Sequence, residues 1–291
     1  NSNIEAIKMY IRLECPAGGC DPWDRFANIL VKNQSNDQFY EIARHITPYG
    51  VGNSQLTRGL EVDVTDFKSI LTGNVELKIY AETWVASGWV ISLEFDYLSG
   101  TPDYKYYQVT PVIQFNRNSL SGVPYGGENG NTQLDKVKFD LKKSITFGPN
   151  IKSAHFRTII SGWGHATPAD SDGRACAEWC FRTHKIKIDN VNKFSHYMGP
   201  LGCGSNPISN QAGNWIPDRA GWCPGMVVPV RIDKFDTDIS NSSLNFEYYF
   251  QSWTNDFVGT PGYNNKNAYN AISSFIVLKS DQQIEPATIS N

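Results

Sequence analysis

Apolar and polar residues alternate with a period of two in several short segments of the chain. In IKMYIRL every second residue, from Ile7 to Leu13, is apolar, and the residues between them are polar or aromatic. The same alternation recurs in LEVDVTD (60–66) and LNFEYYF (244–250). Because successive side chains of a strand point to opposite faces, each segment predicts a half-buried β-strand.

The segment VELKIYAETWV (75–85) predicts a longer strand of the same kind. Its odd-numbered residues, from Val75 to Val85, would face inward and its even-numbered residues outward. Glu82 and Trp84 would then be neighbours on the outer face. A solvated strand face is the simpler interpretation of that pair, and a carboxylate beside a binding indole is the functional one.

Helical periodicity extends no further than a turn or two, around TDFKSIL (65–71). Many short strands separated by Gly, Pro and Asn predict an all-β fold of antiparallel sandwiches.

The length favours two domains, and Gly100, Thr101 and Pro102 interrupt the pattern within LSGTPDYKYY. We therefore expect domains at 1–101 and 102–291. The Gly-rich GVPYGGENGNTQ (122–133) lacks the lysine of a phosphate-binding loop and predicts a surface loop.

Composition adds a functional indication to the predicted fold. The chain has 8 Trp, 14 Tyr and 15 Phe with 24 Gly and 15 Pro, which favours β-structure. Indole rings also stack on sugar faces, although most of these rings are expected in the core.

The 26 basic and 29 acidic residues give a net charge of -3 with no long run of one sign, which argues against nucleic acid or an anionic membrane as a partner. No apolar segment approaches the ~20 residues of a membrane span.

Six cysteines form two close pairs and one wider pair. Their parity and spacing predict three disulfides, Cys15–Cys20, Cys176–Cys180 and Cys203–Cys223. None of the cysteines has the C-x-x-C spacing of a zinc site. Disulfides indicate an oxidising compartment, secreted or periplasmic. The chain begins without the basic and apolar parts of a signal peptide, so we expect that peptide to have been removed already.

Carboxylates and tryptophans occur together inside or beside the close cysteine pairs. CDPWDRFAN (20–28) contains two aspartates, and RACAEWCFRTH (174–184) contains Glu178 and Trp179 between two cysteines. Residues i and i+4 of a strand lie ~13 Å apart, whereas a disulfide needs Cα atoms roughly 5.5 Å apart. We therefore expect Glu178 on a bent loop or single helical turn held by its disulfide.

A third concentration, NWIPDRAGWCPGM (214–226), places Arg219 next to an aspartate and between tryptophans. Arg219 is either a stacked, paired structural cation or a donor for a developing oxyanion. The sequence has no G-x-S-x-G and no H-E-x-x-H, and each cysteine has an expected disulfide partner. Carboxylates are therefore the best catalytic candidates.

Seven long segments together resemble one family. They are CDPWDRFAN, RGLEVDVTDFKSIL, LKIYAETW, GTPDYKY, SGWGHA, CAEWCFRTH and NWIPDRAGWCPGM. They span most of the chain and are similar to the bacterial peptide:N-glycosidase F family of glycoasparagine amidases. The resemblance implies two consecutive eight-stranded jelly-roll sandwiches packed side by side, with the active site along their interface. It also implies an N-terminal stretch before AIKMYIRLEC, without which the first jelly roll would lack a strand or take its edge from elsewhere.

The resemblance implies roles for particular residues. The catalytic aspartate falls on Asp24 and the two supporting glutamates on Glu82 and Glu178. The same three disulfides are implied. Substrate-binding positions fall on Asp21, Trp23, Arg25, Trp84, Trp163, Gly164, Arg219 and Trp222.

The implied activity is hydrolysis of the amide between asparagine and the innermost N-acetylglucosamine of an N-glycan, without a cofactor or metal. Its partner is an N-linked glycopeptide or glycoprotein, and a monomer is expected. Asp24 would activate water or the amide. Burial beside an indole predicts a raised pKa for at least one of the acids. The alternatives are an endo-glycosidase with two carboxylates across the anomeric bond and a noncatalytic glycan-binding jelly roll.

Overall fold

The computed structural model describes residues 3–86, 88–115, 123–124, 141–166, 173, 175–251 and 268–291. The predicted surface loop at 122–133 lies outside these residues, apart from 123 and 124. The predicted all-β class is confirmed, since the helical structure described consists of the short 3-10 turns Thr65–Phe67 and Cys203–Ser205. No described helix is long and apolar enough to cross a membrane.

The first part of the chain forms two small antiparallel sheets. Its strands are β1 (Ile4–Glu14), β2 (Phe26–Asn33), β3 (Gln38–Ile46), β4 (Leu60–Asp63), β5 (Leu77–Ala81) and β6 (Val90–Ser99). One sheet has the order β4-β1-β6 and the other β3-β2-β5. The two sheets enclose one apolar cluster that contains residues of β1, β2, β3 and β4.

The second part of the chain forms two larger sheets. Its strands are β7 (Tyr106–Ile113), β8 (Val123–Pro124), β9 (Lys142–Thr146), β10 (Ser153–Ala166), β11 (Cys176–Ala177), β12 (Arg182–Ile188), β13 (Val191–Met198), β14 (Val230–Lys234), β15 (Ser243–Tyr249), β16 (Ala268–Ser280) and β17 (Thr288–Ser290). One sheet has the order β11-β10-β16-β7, with β14 also on β10 and β8 also on β16. The other has the order β13-β12-β15-β9-β17.

The alternation in the sequence corresponds to burial in β1, β4 and β15. The inward residues of β1, from Ile7 to Leu13, are at most 1% exposed. Leu60 and Val62 of β4 are buried, as are Leu244 and Phe246 of β15. The short helical prediction near residue 65 corresponds to the first 3-10 turn.

The strand predicted for 75–85 is wrong in its extent, because β5 covers only Leu77–Ala81. Ile79, assigned to the inner face, is 39% exposed, whereas Tyr80 packs against a buried aromatic cluster. Glu82 and Trp84 follow the end of β5, so a shared strand face does not bring them together. The chain turns there because Trp84 N donates to a buried carboxylate, Asp21 Oδ2, at 2.7 Å.

The sheet that contains β16 is buried on both faces. Ile272 and Ile276 belong to the core of the second sandwich, whereas Phe275 and Val277 complete the core of the first. This follows from the period of two, which sends alternate side chains of one strand into different cores. The two sandwiches are therefore joined through apolar burial, and the loops at one end of this contact form the site described next.

Candidate active site

Arg219 lies fully buried at the contact between the two sandwiches. Its Nη2 contacts Asp24 Oδ2 at 3.2 Å, the Tyr49 hydroxyl at 2.9 Å and Asn214 O at 2.6 Å. Its guanidinium carbon lies 4.4 Å from the ring centroid of Trp179. Arg219 is paired with Asp24 from the other sandwich. The sequence had suggested the neighbouring Asp218 as the carboxylate that pairs with Arg219. Asp218 instead accepts hydrogen bonds from three backbone N–H groups of the loop 201–203.

Glu178 approaches the same guanidinium from the second sandwich. Its Oε1 lies 3.9 Å from Arg219 Nε, and its Oε2 lies 3.8 Å from His165 Nε2. The Glu178 backbone N–H donates to Gly164 O at 3.1 Å, and Trp179 N–H donates to Ala175 O at 2.9 Å. The predicted bend between Cys176 and Cys180 is thus present, and it directs Glu178 toward Arg219.

The two carboxyl groups are only 13% and 16% exposed, for Asp24 and Glu178 respectively. Burial, with a further contribution from the nearby charge of Asp24, raises the pKa of Glu178 to about 8, and Arg219 opposes that shift only in part. Burial also raises the pKa of Asp24, against the opposing effects of Arg219 and Tyr49. At neutral pH the site therefore holds a protonated Glu178 beside an arginine-paired Asp24.

Asp21 organises the loop before Asp24 rather than facing solvent. It is fully buried and accepts hydrogen bonds from the backbone N–H groups of Trp23 and Trp84 and from the Thr83 hydroxyl, at 2.7–3.1 Å. Arg25 Nε lies 3.3 Å from both of its oxygens. Burial alone would raise the pKa of Asp21, but these hydrogen bonds outweigh it and lower the pKa.

Two exposed tryptophans flank this loop. Trp23 is 53% and Trp84 is 73% exposed, and the Arg25 guanidinium lies 3.4 Å from the Trp84 ring centroid. Stacking on a cation holds an exposed ring in one orientation. Trp23 and Trp84 therefore present exposed aromatic rings beside the Asp21–Asp24 loop.

Trp163 and Trp222 form a second aromatic unit. Their ring centroids lie 4.7 Å apart with an interplanar angle of 26°. Trp163 is partly exposed, whereas Trp222 is fully buried and its Nε1 donates to Gly162 O at 2.8 Å. In this arrangement Trp222 supports Trp163 from behind.

Two glycines of β10 allow the Glu178 segment to approach. A Cβ on Gly162 would lie 2.2 Å from Ala177 O, which is closer than real Cβ atoms come. Gly164, whose carbonyl accepts the Glu178 N–H, has φ of 75°, a conformation that favours glycine.

Glu82 lies directly after β5, on the side of the first sandwich. Its N–H donates to Phe26 O at 2.9 Å, and β5 pairs with β2 at Ala81 and Ala27. Glu82 is thus placed across from the residue two positions after Asp24. It is partly buried.

The three predicted disulfides are present, with Cα–Cα distances of 4.5 Å for Cys15–Cys20, 4.7 Å for Cys176–Cys180 and 5.4 Å for Cys203–Cys223. The first precedes the Asp21–Asp24 loop, the second encloses Glu178, and the third encloses Arg219 in sequence. The second and third therefore constrain the segments that carry Glu178 and Arg219, and the first constrains the approach to the Asp21–Asp24 loop.

Within the described parts of the chain, Cys203, Asp218 and Cys223 are candidate metal donors that lie close together. Both cysteines are used in one disulfide, and Asp218 Oδ1 already accepts three N–H groups. These donors do not suit a metal ion.

The sequence prediction omits Tyr49 and His165 from the site and gives no role to Trp179. Tyr49 occurs in TPYGVG, with no acid or tryptophan nearby in the sequence, and reaches Arg219 only through the fold. His165 and Trp179 could have been found, because both lie in the quoted polar segments. They are joined by a hydrogen bond of 3.0 Å from Trp179 Nε1 to His165 Nε2.

The two packed antiparallel sandwiches hold an arginine between two largely buried carboxyl groups at their contact. This arrangement defines a disulfide-bonded two-domain β-protein equipped for acid–base chemistry. Family models described as Peptide-N-glycosidase F, N terminal and C terminal, match residues 24–97 and 131–277. The chain belongs to the peptide-N-glycosidase F family, and its two domains are jelly-roll sandwiches.

Individual relatives agree with this assignment. Peptide-N(4)-(N-acetyl-beta-D-glucosaminyl)asparagine amidase F of Elizabethkingia miricola is 54% identical over 291 residues, covering 100% of this chain and 78% of that protein. The structure of PNGase F, a glycosylasparaginase from Flavobacterium meningosepticum, is similar with a TM-score of 0.90 and 54% identity, covering 100% of this chain and 89% of that one. A structure of PNGF-II shares the fold at 15% identity, with a TM-score of 0.68 over 97% of this chain and 57% of that one.

Proposed function

We propose that this protein hydrolyses the amide bond between asparagine and the innermost N-acetylglucosamine of N-linked glycans. The products are an aspartyl peptide and a glycosylamine, which later loses ammonia. The observation that carries the proposal is the position of Arg219, which is buried and in reach of both Asp24 and Glu178. The similarity to peptide-N-glycosidase F relatives along the whole chain supports the same activity.

The three groups have complementary roles in amide hydrolysis. Asp24 orients the attacking water and accepts its proton as the new C–O bond forms. Arg219 provides positive charge for the carbonyl oxygen as that oxygen gains electron density. Glu178, protonated at neutral pH because of its raised pKa, donates its proton to the amide nitrogen as the C–N bond breaks. Transfer of the proton from Asp24 to Glu178 restores the starting state.

The remaining predicted residues bind or support the substrate. Trp23, Trp84 and Trp163 offer partly or largely exposed rings for sugar faces. Glu82 and Gly164 line the approach, from the first and second sandwich respectively. Asp21, Arg25 and Trp222 are buried and hold the others in place.

The first domain extends to residue 101 and the second starts at residue 102, a division supported by the loop between the end of β6 and the start of β7. The partner is an N-linked glycopeptide or glycoprotein recognised through its chitobiose core, and the enzyme acts as a monomer outside the cytoplasm. The three disulfides support an oxidising compartment.

The test is digestion of a defined N-glycopeptide in oxygen-18-labelled water, followed by mass spectrometry of the peptide. We expect aspartate carrying one labelled oxygen at the former glycosylation site, and no such product with a folded Asp24→Asn variant. Asparagine that retains one N-acetylglucosamine would identify an endo-glycosidase instead. Retention of intact substrate without cleavage would identify a glycan-binding protein.

A further inference from the structure

The indole of Trp163 is hydrogen bonded to a side chain that also contacts a buried ion pair. Trp163 Nε1 donates to Ser161 Oγ at 3.0 Å, and the same oxygen accepts a hydrogen bond from Arg44 Nη1 at 3.0 Å. Arg44 donates to both oxygens of Glu41, at 2.8 and 2.7 Å. Glu41, Arg44 and Ser161 are fully buried. One hydroxyl oxygen thus connects an aromatic ring of the site to a buried pair of charges.

This ion pair joins the two sandwiches. Glu41 and Arg44 lie on β3 of the first sandwich, whereas the other hydrogen-bond partners of their side chains lie on β10 and β16 of the second. Arg44 Nη1 donates to Ala271 O at 2.6 Å, and Ser273 Oγ donates to Glu41 Oε2. Beyond these contacts, β3 leads toward Tyr49 and β10 leads to Gly164. The network therefore sets the offset between the strands that lead to the two halves of the site.

Stacking alone leaves the orientation of Trp163 incomplete. Trp222 covers one face of the Trp163 ring at 4.7 Å, and Phe26 makes an edge contact at 5.9 Å. Stacking fixes the plane of a ring, but it resists rotation within that plane only weakly. A directional hydrogen bond at Nε1 removes that rotation, since the bond weakens steeply when its angle closes.

The burial of both charges argues for positioning as the purpose of the pair. A buried ion pair loses much of its Coulomb attraction to desolvation and contributes little net stability over apolar side chains. Its hydrogen bonds nevertheless require fixed geometry. Among the described side chains, Ser161 is the hydrogen-bond acceptor of Trp163 Nε1. Ser161 therefore links the fixed geometry of the ion pair to the Trp163 ring.

We infer that Ser161, held by the Glu41–Arg44 ion pair, is a positioning residue that orients Trp163 to receive the first sugar of the glycan. The inference rests on the proposed function. Ser161 makes its contribution through the Trp163 indole N–H and not through the reacting atoms. Its loss is therefore expected to weaken substrate binding more than the chemical step.

The test is a double-mutant cycle on glycopeptide hydrolysis, with Ser161→Ala, Trp163→Phe and the double variant. Ser161→Ala is expected to raise KM about 3- to 10-fold, the range for one lost hydrogen bond, with kcat changed less than about twofold. In the Trp163→Phe background, where the ring has no N–H, Ser161→Ala should produce no further change. Trp163→Phe alone should raise KM at least as much as Ser161→Ala, which tests the inference independently of how well the alanine variant folds.

The matched control is Ser274→Ala. Ser274 is a fully buried serine of β16 whose hydroxyl lies 2.9 Å from that of Thr158, and among the described contacts it makes none with Trp163. Its KM should equal that of the wild type. An unchanged KM for Ser161→Ala, or an equal rise in KM in both backgrounds, would overturn the inference while the proposed activity stands. A folded wild-type protein that releases no aspartyl peptide would overturn both.

Discussion

Replacing Glu178 by glutamine should change how the stability of the protein depends on pH. The folded-state pKa of Glu178 is raised to about 8 from an ordinary value of 4.5. Between these two values the unfolded chain has lost this proton and the folded chain retains it. Folding then takes up a proton, so the stabilising contribution of neutral Glu178 is lost as pH rises from 4.5 to 8.

The size of the effect follows from one proton. Stability changes by about 1.4 kcal/mol per pH unit for each proton taken up on folding. From pH 5 to pH 7 the wild type should therefore lose about 2 to 3 kcal/mol relative to Glu178→Gln, because the neutral amide does not titrate. Above pH 8 the difference between the two proteins should become constant.

The assay is urea unfolding followed by tryptophan fluorescence at pH 5, 6, 7, 8 and 9, with the disulfides intact. A second measurement in the Asp24→Asn background tests the cause. Removing the Asp24 charge should lower the pKa of Glu178, so the loss of stability with rising pH should end at a lower pH. Parallel stability curves for wild type and Glu178→Gln would refute the assignment of a neutral Glu178. If the stability of the wild type rose relative to that of Glu178→Gln with increasing pH, the direction of the Glu178 pKa shift would be refuted.

Three further outcomes are expected. Asp24→Asn should fold normally and lose nearly all turnover, Glu178→Gln should be severely impaired and Glu82→Gln less so; steady-state kinetics in which Glu82→Gln is the most damaged would reverse this ranking. Reducing the disulfides should lower activity chiefly by releasing the ring from Cys176 to Cys180, since each short bridge contributes only about 2 to 3 kcal/mol; full activity with six measured free thiols would contradict this. Activity should survive exhaustive chelation, and inactivation by EDTA that one added ion reverses would make the carboxylates a metal site.

The strands with clean alternation could be predicted because local pattern and burial agree there. In β1 every second side chain enters one core, so Ile7 and Leu13 could be assigned before their neighbours were known. The disulfides could be predicted as well, because a separation of four or five residues leaves few ways to pair. The end of β5 could not, because it depends on the hydrogen bond from Trp84 N–H to Asp21, 63 positions away.

Some residues of the candidate site could likewise be predicted from the sequence, whereas others could not. Acids and indoles beside cysteines mark Glu178 and the pair Asp21 and Asp24 in the sequence, and the resemblance to the family selects Asp24 from that pair. Tyr49 carries no such local signal, and its hydroxyl meets Arg219 across 170 positions. The aspartate that pairs with Arg219 could be identified only from the fold, because Asp218, the neighbour of Arg219 in sequence, binds backbone N–H groups instead.

The strand β16 has a consequence for how such proteins can be recombined. Because Ile272 and Ile276 fit the core of the second sandwich while Phe275 and Val277 fit the core of the first, the first sandwich does not contain all of its own interior. A chimera that exchanges one domain between two relatives would place half of this strand against a foreign core. Successful exchanges should therefore carry the Phe275 and Val277 face with the first sandwich, although those residues belong by chain position to the second. In this protein the core of the first sandwich therefore follows the face of a strand rather than one stretch of sequence.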